Sequence, residues 1–188
     1  MRIDQLRKNY EIEIQWTAFP LHPDTPEDGL TLEELFAGRS IDIKEMMLQL
    51  KRVADGLGLP LGGRKKTFNS RLAQELAKWA ESKEKGEPFH KAVFHAYFVD
   101  GKNIGKVDEL VELVKSIGLA DKETRSLLEL RTYKEAVDSD WSRSRALGIT
   151  AVPTFVVNHQ RIVGAQPYEV LEQFLKTCGV KKRKGIIP

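Results

Sequence analysis

The chain has 188 residues, of which 41% are hydrophobic and 30% charged, a composition that suits one ordinary domain or one domain with a large insertion. The formal net charge of +3 is too small to indicate a nucleic-acid partner. The single cysteine excludes an intramolecular disulfide, a two-cysteine redox centre and a cysteine-based zinc site within these residues. No apolar run approaches the roughly 20 residues of a membrane helix, and the first ten residues contain no signal-peptide core. We therefore expect a cytoplasmic protein with no membrane partner.

The first nineteen residues predict the end of a helix followed by a strand. Ile3, Leu6 and Tyr10 lie at helical spacing, but no capping residue precedes them, which is typical of a helix without its first half or of a frayed terminus. From Glu11 to Phe19, apolar and polar residues alternate, which predicts a strand. This strand needs a distant partner, either a hairpin later in the chain or a strand that precedes Met1.

Helical patterns occupy the chain from Thr31 to about Leu147. Two segments begin with capping-box spacing, Thr31 with Glu34 and Asp42 with Glu45. Further apolar stripes at helical spacing follow. Asn69 or Ser70 can cap the first, Pro88 lies in the first turn of the second, Asp121 can cap the fourth, and Gly118 and Gly148 end the third and the last. These stripes cover residues 70–79, 88–97, 107–117, 122–130 and 133–147.

The last part of the chain predicts a hairpin and a final helix. Two β-rich runs, Pro153–Val157 and Arg161–Val163, flank the turn-forming residues 158–160. Pro167 then begins a helix that ends at Gly179. The predicted order is half-helix, strand, helical block, hairpin and helix.

Residues 148–157, GITAVPTFVV, carry the most specific pattern in the chain. A β-branched residue before a proline favours extended backbone, and the Val152–Pro153 bond is either cis in a tight turn or trans at the start of an edge strand. In the cis interpretation, the backbone N–H and C=O of Val152 point outward and could bind an extended peptide by strand addition. The candidate substrate-binding residues are Thr150, Ala151, Val152, Pro153 and Thr154.

This run resembles the DsbA-like thioredoxin superfamily, and within it the FrnE-like subfamily of cytoplasmic dithiol oxidoreductases. The likeness extends to VGAQP at 163–167, WTAFPLHP at 16–23, TFNSRLA at 67–73 and FHAYFVDGKNIG at 94–105, and so covers nearly the whole chain. The resemblance implies an α/β fold, a thioredoxin-like sheet with a large all-helical insertion. The thioredoxin-like domain would comprise residues 1–29 and 148–188, and the insertion would comprise residues 30–147.

The catalytic segment of that family has no counterpart in this sequence. Members typically begin with a strand and a Cys-Pro-Trp-Cys-like motif at a helix N-terminus, which lowers the pKa of the first cysteine. Met1 falls after that motif, so we carry over no catalytic residue. Without the central first strand, about five residues of unpaired ladder cost on the order of 10 kcal/mol, comparable with a domain's whole stability. We favour an N-terminally truncated form, while a gap filled by another chain and direct closure of the flanking strands stay open.

The resemblance implies thiol–disulfide exchange with a disulfide- or thiol-containing protein or a small thiol. It implies no cofactor, with glutathione as a candidate substrate, and a homodimer stays open. We expect no dithiol oxidase activity from this chain alone. Two alternatives also stay open. One is a glutathione-dependent isomerase or kappa-class-like transferase, whose early active-site residue is a serine. The other is a non-catalytic peptide-binding module that uses the cis-proline loop.

The remaining reactive side chains favour structural interpretations. Cys178 lies on the final predicted helix, far in sequence from Pro153, and is interpreted as a packing thiol. The histidines show no metal-ligand spacing, so we expect no metal site. Two short basic clusters, residues 64–66 and 181–184, are interpreted as solvated surface rather than a nucleic-acid site.

Overall fold

A computed structural model describes residues 2–184 and divides the chain into two units. We call them the terminal unit, Met1–Leu21 with Asp140–Pro188, and the helical unit, His22–Ser139. The helical unit begins and ends earlier than the insertion of residues 30–147 expected from the sequence. Two local features, loop 22–29 and the last helix of the helical block, account for the difference.

Loop 22–29 belongs to the helical unit because its backbone is bonded there. The side-chain amide of Asn69 donates to the carbonyl oxygens of Pro23 and Thr25, at 3.0 and 2.9 Å. The amide of Asn103 donates to the carbonyl oxygen of Glu27 at 2.8 Å. At the other end, the boundary falls inside a continuous helix, Lys134–Ala146, which no sequence pattern would divide.

The secondary-structure elements are numbered in chain order. They are α1 Arg2–Asn9, β1 Leu30–Thr31, α2 Leu32–Leu35, α3 Ile43–Gly56, β2 Lys66–Thr67, α4 Arg71–Ser82, α5 Gly86–Phe98, α6 Val107–Ser116, α7 Asp121–Glu129, α8 Lys134–Ala146, β3 Thr154–Val157, β4 Gln160–Val163 and α9 Tyr168–Thr177. Within residues 2–184, no helix combines the length and apolar character needed to cross a membrane.

Two predicted helix starts are confirmed in the helical unit. Thr31 and Glu34 form a full capping box at α2, with Oγ1 of Thr31 accepting from the Glu34 N–H and Oε2 of Glu34 accepting from the Thr31 N–H. At α3, Asp42 accepts from the Glu45 N–H at 3.0 Å. Each such cap satisfies an end group of the helix and stabilises it by about 1 kcal/mol.

The core of the helical unit lies among α4, α5, α6 and α7. Its largest fully buried side chains are apolar, and burial of each contributes about 1.5–3 kcal/mol. They include Leu76, Trp79, Phe89, Leu110 and Val114. The short antiparallel pair β1–β2, which the sequence analysis did not predict, joins Leu30 to Thr67 and Thr31 to Lys66.

The terminal unit contains the predicted hairpin. Strands β3 and β4 are antiparallel, with Thr154 paired to Val163 and Val157 to Gln160. The turn between them uses Asn158 with φ of 56°, a left-handed conformation that asparagine tolerates. Helices α1 and α9, together with Tyr10 directly after α1, supply the buried hydrophobic cluster of this unit, which is Leu6, Tyr10, Leu171 and Leu175.

The predicted strand over Glu11–Phe19 is wrong. In the described part of the chain this segment joins no ladder, and β3 and β4 pair only with each other. An isolated antiparallel bridge, Tyr10 to Lys182, precedes it. The alternation of the sequence survives only in part, since Ile12 packs against the core of the terminal unit while Trp16 is exposed. A strand requires hydrogen bonds to a neighbouring strand. Among the described residues, the β3–β4 hairpin does not pair with segment 11–19.

Candidate functional site

The candidate site is the exposed turn 150–154, immediately before β3. Its Val152–Pro153 peptide bond is cis. The carbonyl oxygen of Pro153 accepts from the Gly164 N–H at 2.8 Å, and Oγ1 of Thr154 donates to the carbonyl oxygen of Ala151 at 2.6 Å. The turn is therefore attached at its C-terminal side to the end of β4, while residues 150–153 are exposed.

Val152 is the residue of this turn that can bind another chain. Its side chain is among the exposed large hydrophobic groups, with the residue 45% accessible. Among residues 2–184, neither its backbone N–H nor its C=O has a hydrogen-bond partner. A free donor and acceptor on one exposed residue can pair with an extended peptide as in strand addition.

The segment VGAQP, residues 163–167, is hydrogen-bonded to this turn. Gly164, at φ of 95°, makes the bond to Pro153 described above. The side-chain amide of Gln166 donates to the carbonyl oxygen of Val163 at 2.7 Å and closes the turn after β4. Arg2 of α1 donates to the carbonyl oxygens of Ala165 and Gln166, at 3.1 and 3.0 Å. The two most specific motifs of the sequence thus form one structural site.

Arg161 positions the backbone that enters this site. Its Nη1 donates to the carbonyl oxygens of Leu147 and Gly148, the latter at 3.2 Å. Gly148 has a φ of 61°, which turns the chain out of α8. The sequence analysis missed this role of Arg161, because no local pattern connects residue 161 of a strand with residue 148 of a helix end.

Cys178 lies at the opposite end of the hairpin from Pro153. It caps the C-terminal end of α9, its Sγ is 3.6 Å from Oε1 of Gln160, and its carbonyl oxygen accepts from the side-chain amide of Asn158 at 3.5 Å. Four residues of β3 separate the hairpin turn from Pro153, roughly 13 Å at about 3.3 Å per residue. Its thiol therefore lies outside the candidate site.

Histidine side chains form no metal centre in the part of the chain that the structure describes. No group of three or more His, Cys, Asp or Glu side chains there could hold an ion. His90 lies 3.6 Å from Glu81, and burial lowers its pKa although Glu81 opposes the shift. His95 lies 3.2 Å from Asp100.

The two basic clusters make more contacts with other residues of the protein than solvated surface side chains would. The guanidinium of Arg64 lies 4.6 Å from the ring centre of Tyr97 and also bonds to Oγ1 of Thr67 at 2.8 Å. In the terminal unit, Arg183 Nε donates to the carbonyl oxygen of Arg7 at 3.0 Å. Both clusters thus contribute contacts that stabilise their own units.

Sequence comparison matches residues 1–176 to the DSBA-like thioredoxin domain family. The uncharacterized protein YwbO of Bacillus subtilis (strain 168) is 28% identical over 180 residues, which are 93% of this chain and 86% of YwbO. A probable DsbA oxidoreductase from Streptomyces coelicolor has a similar structure, with a TM-score of 0.86 at 24% identity, over 99% of this chain and 86% of that one. A 2-hydroxychromene-2-carboxylate isomerase matches with a TM-score of 0.72 at 17% identity, over 95% and 85% of the two chains. These matches confirm the thioredoxin-like fold class expected from the sequence.

Proposed function

Because this chain belongs to the DSBA-like thioredoxin domain family, we propose that its turn 150–154 binds a disulfide- or thiol-containing protein, or a small thiol such as glutathione, for thiol–disulfide exchange. The observation that carries the proposal is the backbone N–H and C=O of Val152, which have no hydrogen-bond partner within residues 2–184 and lie on an exposed turn. In a member of an oxidoreductase family, such a residue can hold the substrate backbone next to the sulfur that reacts.

The proposal places the reacting thiols in a segment outside these 188 residues, which contain a single cysteine. In the exchange, a thiolate attacks one sulfur of the substrate disulfide and the other sulfur leaves as a thiolate. A second thiol of the enzyme then attacks the mixed disulfide, so that the enzyme becomes oxidised and the substrate reduced. The only cysteine available here, Cys178, lies at the wrong end of the hairpin.

Exposed apolar side chains support the proposal that a further strand pairs with the terminal unit. Strand β3 pairs only with β4 among the described residues, and segment 11–19 has no ladder partner there. Trp16 on that segment and Val156 on β3 are both exposed. A strand that paired with β3 and with segment 11–19 would satisfy both backbones and cover such side chains.

As part of this proposal, we place the chain with the FrnE-like group and in the cytoplasm, from the sequence segments given above. A glutathione-dependent isomerase or kappa-class-like transferase would differ by a serine in the segment that we place outside these residues. A non-catalytic peptide-binding module would use the same turn without any such segment.

Peptide binding to the turn tests the proposal. The probe is a short extended peptide with one cysteine as its mixed disulfide with glutathione, titrated into the ¹⁵N-labelled protein. We expect amide shifts confined to residues 150–154 and their neighbours on β4. Val152→Pro, which removes the N–H, should weaken binding about five-fold, since one net hydrogen bond contributes about 1 kcal/mol. The matched comparison, Val152→Ala, shortens the side chain but keeps the backbone N–H of residue 152, and should bind more tightly than Val152→Pro. Shifts elsewhere in the protein, or equal losses in both variants, would refute the role of the turn.

A further inference from the structure

Arg64, which lies two residues before β2, is held in place by contacts within the helical unit. Its Nη1 donates to Oγ1 of Thr67 at 2.8 Å, to the carbonyl oxygen of Lys66 at 3.3 Å and to the hydroxyl of Tyr97. The guanidinium carbon lies 4.6 Å from the ring centre of Tyr97 and 5.7 Å from that of Phe98. Because these hydrogen bonds all use one nitrogen, they fix the guanidinium and leave its other donors for a ligand.

The guanidinium of Arg64 has no carboxylate partner. Among residues 2–184, no Asp or Glu side chain lies within ion-pair distance of it, and neither its Nε nor its Nη2 donates a hydrogen bond. The other two half-buried arginines of the helical unit, Arg71 and Arg131, both pair with Glu75 at 2.6 Å. Nε and Nη2 form one edge of the planar guanidinium, so their N–H groups can donate together to two oxygens of one anion.

A second arginine lies in the same region of the helical unit. Burial lowers the pKa of His22, and repulsion from Arg39 and Arg64 lowers it further. Both guanidinium groups therefore lie near this imidazole, which is neutral at pH 7 and can donate one hydrogen bond. In the described part of the chain, the exposed side chain of Arg39 has no partner either. A bound anion would remove the repulsion between the two positive charges.

The acidic side chains of the neighbouring segments make other contacts. Lys66 donates to the carbonyl oxygen of Asp28 at 3.1 Å, but the carboxylate of Asp28 pairs with Lys106 at 3.4 Å. The carboxylate of Glu34 accepts from the backbone N–H of its capping box at 2.7 Å. These two carboxylates therefore do not neutralise the charge at Arg64.

We propose that Arg64, Arg39 and His22 bind a phosphate group, either free phosphate or that of a small ester. At pH 7 a phosphate monoester carries a charge of about −1.5 to −2, which matches two guanidinium groups, and it has three acceptor oxygens. Two oxygens accept from Nε and Nη2 of Arg64, and the third accepts from Arg39 or His22. A carboxylate, with one charge and two oxygens, satisfies Arg64 alone. The site lies within the helical unit and does not depend on the function proposed for turn 150–154.

Inorganic phosphate, titrated at pH 7 and constant ionic strength into the ¹⁵N-labelled protein, tests the site. The Nε–H signal of Arg64 should shift and saturate, with a dissociation constant of about 1 mM, and acetate should bind about ten-fold more weakly. Glycerol phosphate distinguishes the two sources: tighter binding than inorganic phosphate assigns the site to an ester, and weaker binding assigns it to free phosphate. Acetate that binds as tightly as phosphate overturns the proposal, and so do shifts that grow linearly without saturation.

Two substitutions separate a built site from general attraction to positive charge. Arg64→Lys keeps the charge but loses the paired donors, and should weaken phosphate binding about ten-fold. The matched control is Lys65→Met, because Lys65 is exposed and adjacent in sequence, and its loss removes a full charge but no donor of the site. Lys65→Met should bind nearly like the wild type. Equal weakening in both variants, or weakening in Lys65→Met alone, overturns the proposal.

Arg39→Met tests the site without disturbing the contacts that hold Arg64. Arg39 is exposed, so this variant should fold and melt like the wild type. It should weaken phosphate binding about five-fold and leave acetate binding unchanged, because only phosphate uses the second charge. Phosphate binding that is unchanged in Arg39→Met overturns the proposed set of ligating residues, whether or not Arg64→Lys folds.

Discussion

The buried carboxylate of Glu75 gives the sharpest stability prediction. Glu75 on α4 is 3% exposed, and both of its oxygens accept from arginines: Arg71 Nε at 2.6 Å, and Arg131 Nε and Nη2 at 2.8 and 2.6 Å. Glu75→Gln removes the charge but keeps the shape and one acceptor oxygen. Arg71 also retains its bond to Asp138, at 2.7 Å. Breaking a buried ion pair costs about 3–5 kcal/mol, so with these remaining bonds we expect a loss of about 2–3 kcal/mol.

Urea unfolding followed by circular dichroism measures this loss. A destabilisation of about 2 kcal/mol lowers the midpoint by roughly 1 M urea when the m-value is about 2 kcal/mol/M. The matched control is Glu45→Gln, which makes the same chemical change in the exposed pair with Arg52 and should cost about 0–1 kcal/mol. Equal midpoints for the two variants would refute the account of a buried, charge-dependent network in the helical unit.

The same carboxylate predicts a pH dependence. Burial raises the pKa of Glu75, but hydrogen bonds from Arg131 and Arg71 outweigh it and hold the pKa below its usual value. A carboxylate with a depressed folded pKa contributes stability above its unfolded pKa of about 4.3 and loses it as the pH falls further. The difference in free energy of unfolding between the wild type and Glu75→Gln should therefore be full at neutral pH and shrink below about pH 4. A difference that is constant from pH 7 to pH 3 would contradict this origin.

Three further changes test other parts of the fold. Tyr10→Phe should lower the free energy of unfolding by about 1.5–3 kcal/mol, because the Tyr10 hydroxyl donates to Glu172 at 2.9 Å. Burial and that bond raise the pKa of Tyr10 to about 12. In alkaline unfolding experiments, the contribution of Tyr10 to stability should therefore be full below about pH 10 and be lost toward pH 12. Arg161→Met should speed amide hydrogen exchange at Gly148 and Ile149, whose N–H groups donate to the carbonyl oxygens of Arg145 and Ser144, while the β3–β4 amides keep their protection. Gly29→Ala should lower the melting temperature by several degrees, because its φ is 75° and a Cβ would lie 2.5 Å from the Thr67 carbonyl oxygen. An unchanged melting temperature would show that β1 and β2 separate at little cost.

Local chemistry predicted most of the helices and the hairpin. The capping box of Thr31 and Glu34 and the cap at Asp42 form where the sequence places them, because both depend on residues three positions apart. Before α4, the side-chain oxygen of Asn69 accepts from the Arg71 N–H at 2.9 Å, whereas Ser70 makes no side-chain cap bond. These contacts need no information from distant residues.

Contacts between distant residues account for what the sequence could not predict. Alternation over residues 11–19 indicates which side chains face inward, but a ladder also requires a partner strand, which no alternation can supply. The bonds from Arg131 to Glu75 and from Arg161 to Gly148 join residues that share no period or motif. The substrate role of residues 150–154 stays a prediction, since their geometry permits binding but identifies no ligand.

Reduction of insulin by dithiothreitol tests most directly the claim that this chain supplies a substrate-binding turn but not the reacting thiols. The assay compares the 188-residue chain, its Cys178→Ser variant and a sample without protein. The account predicts the same rate of insulin precipitation in all three, because the Cys178 thiol lies outside the candidate site. Turnover by the wild type that Cys178→Ser abolishes would contradict it.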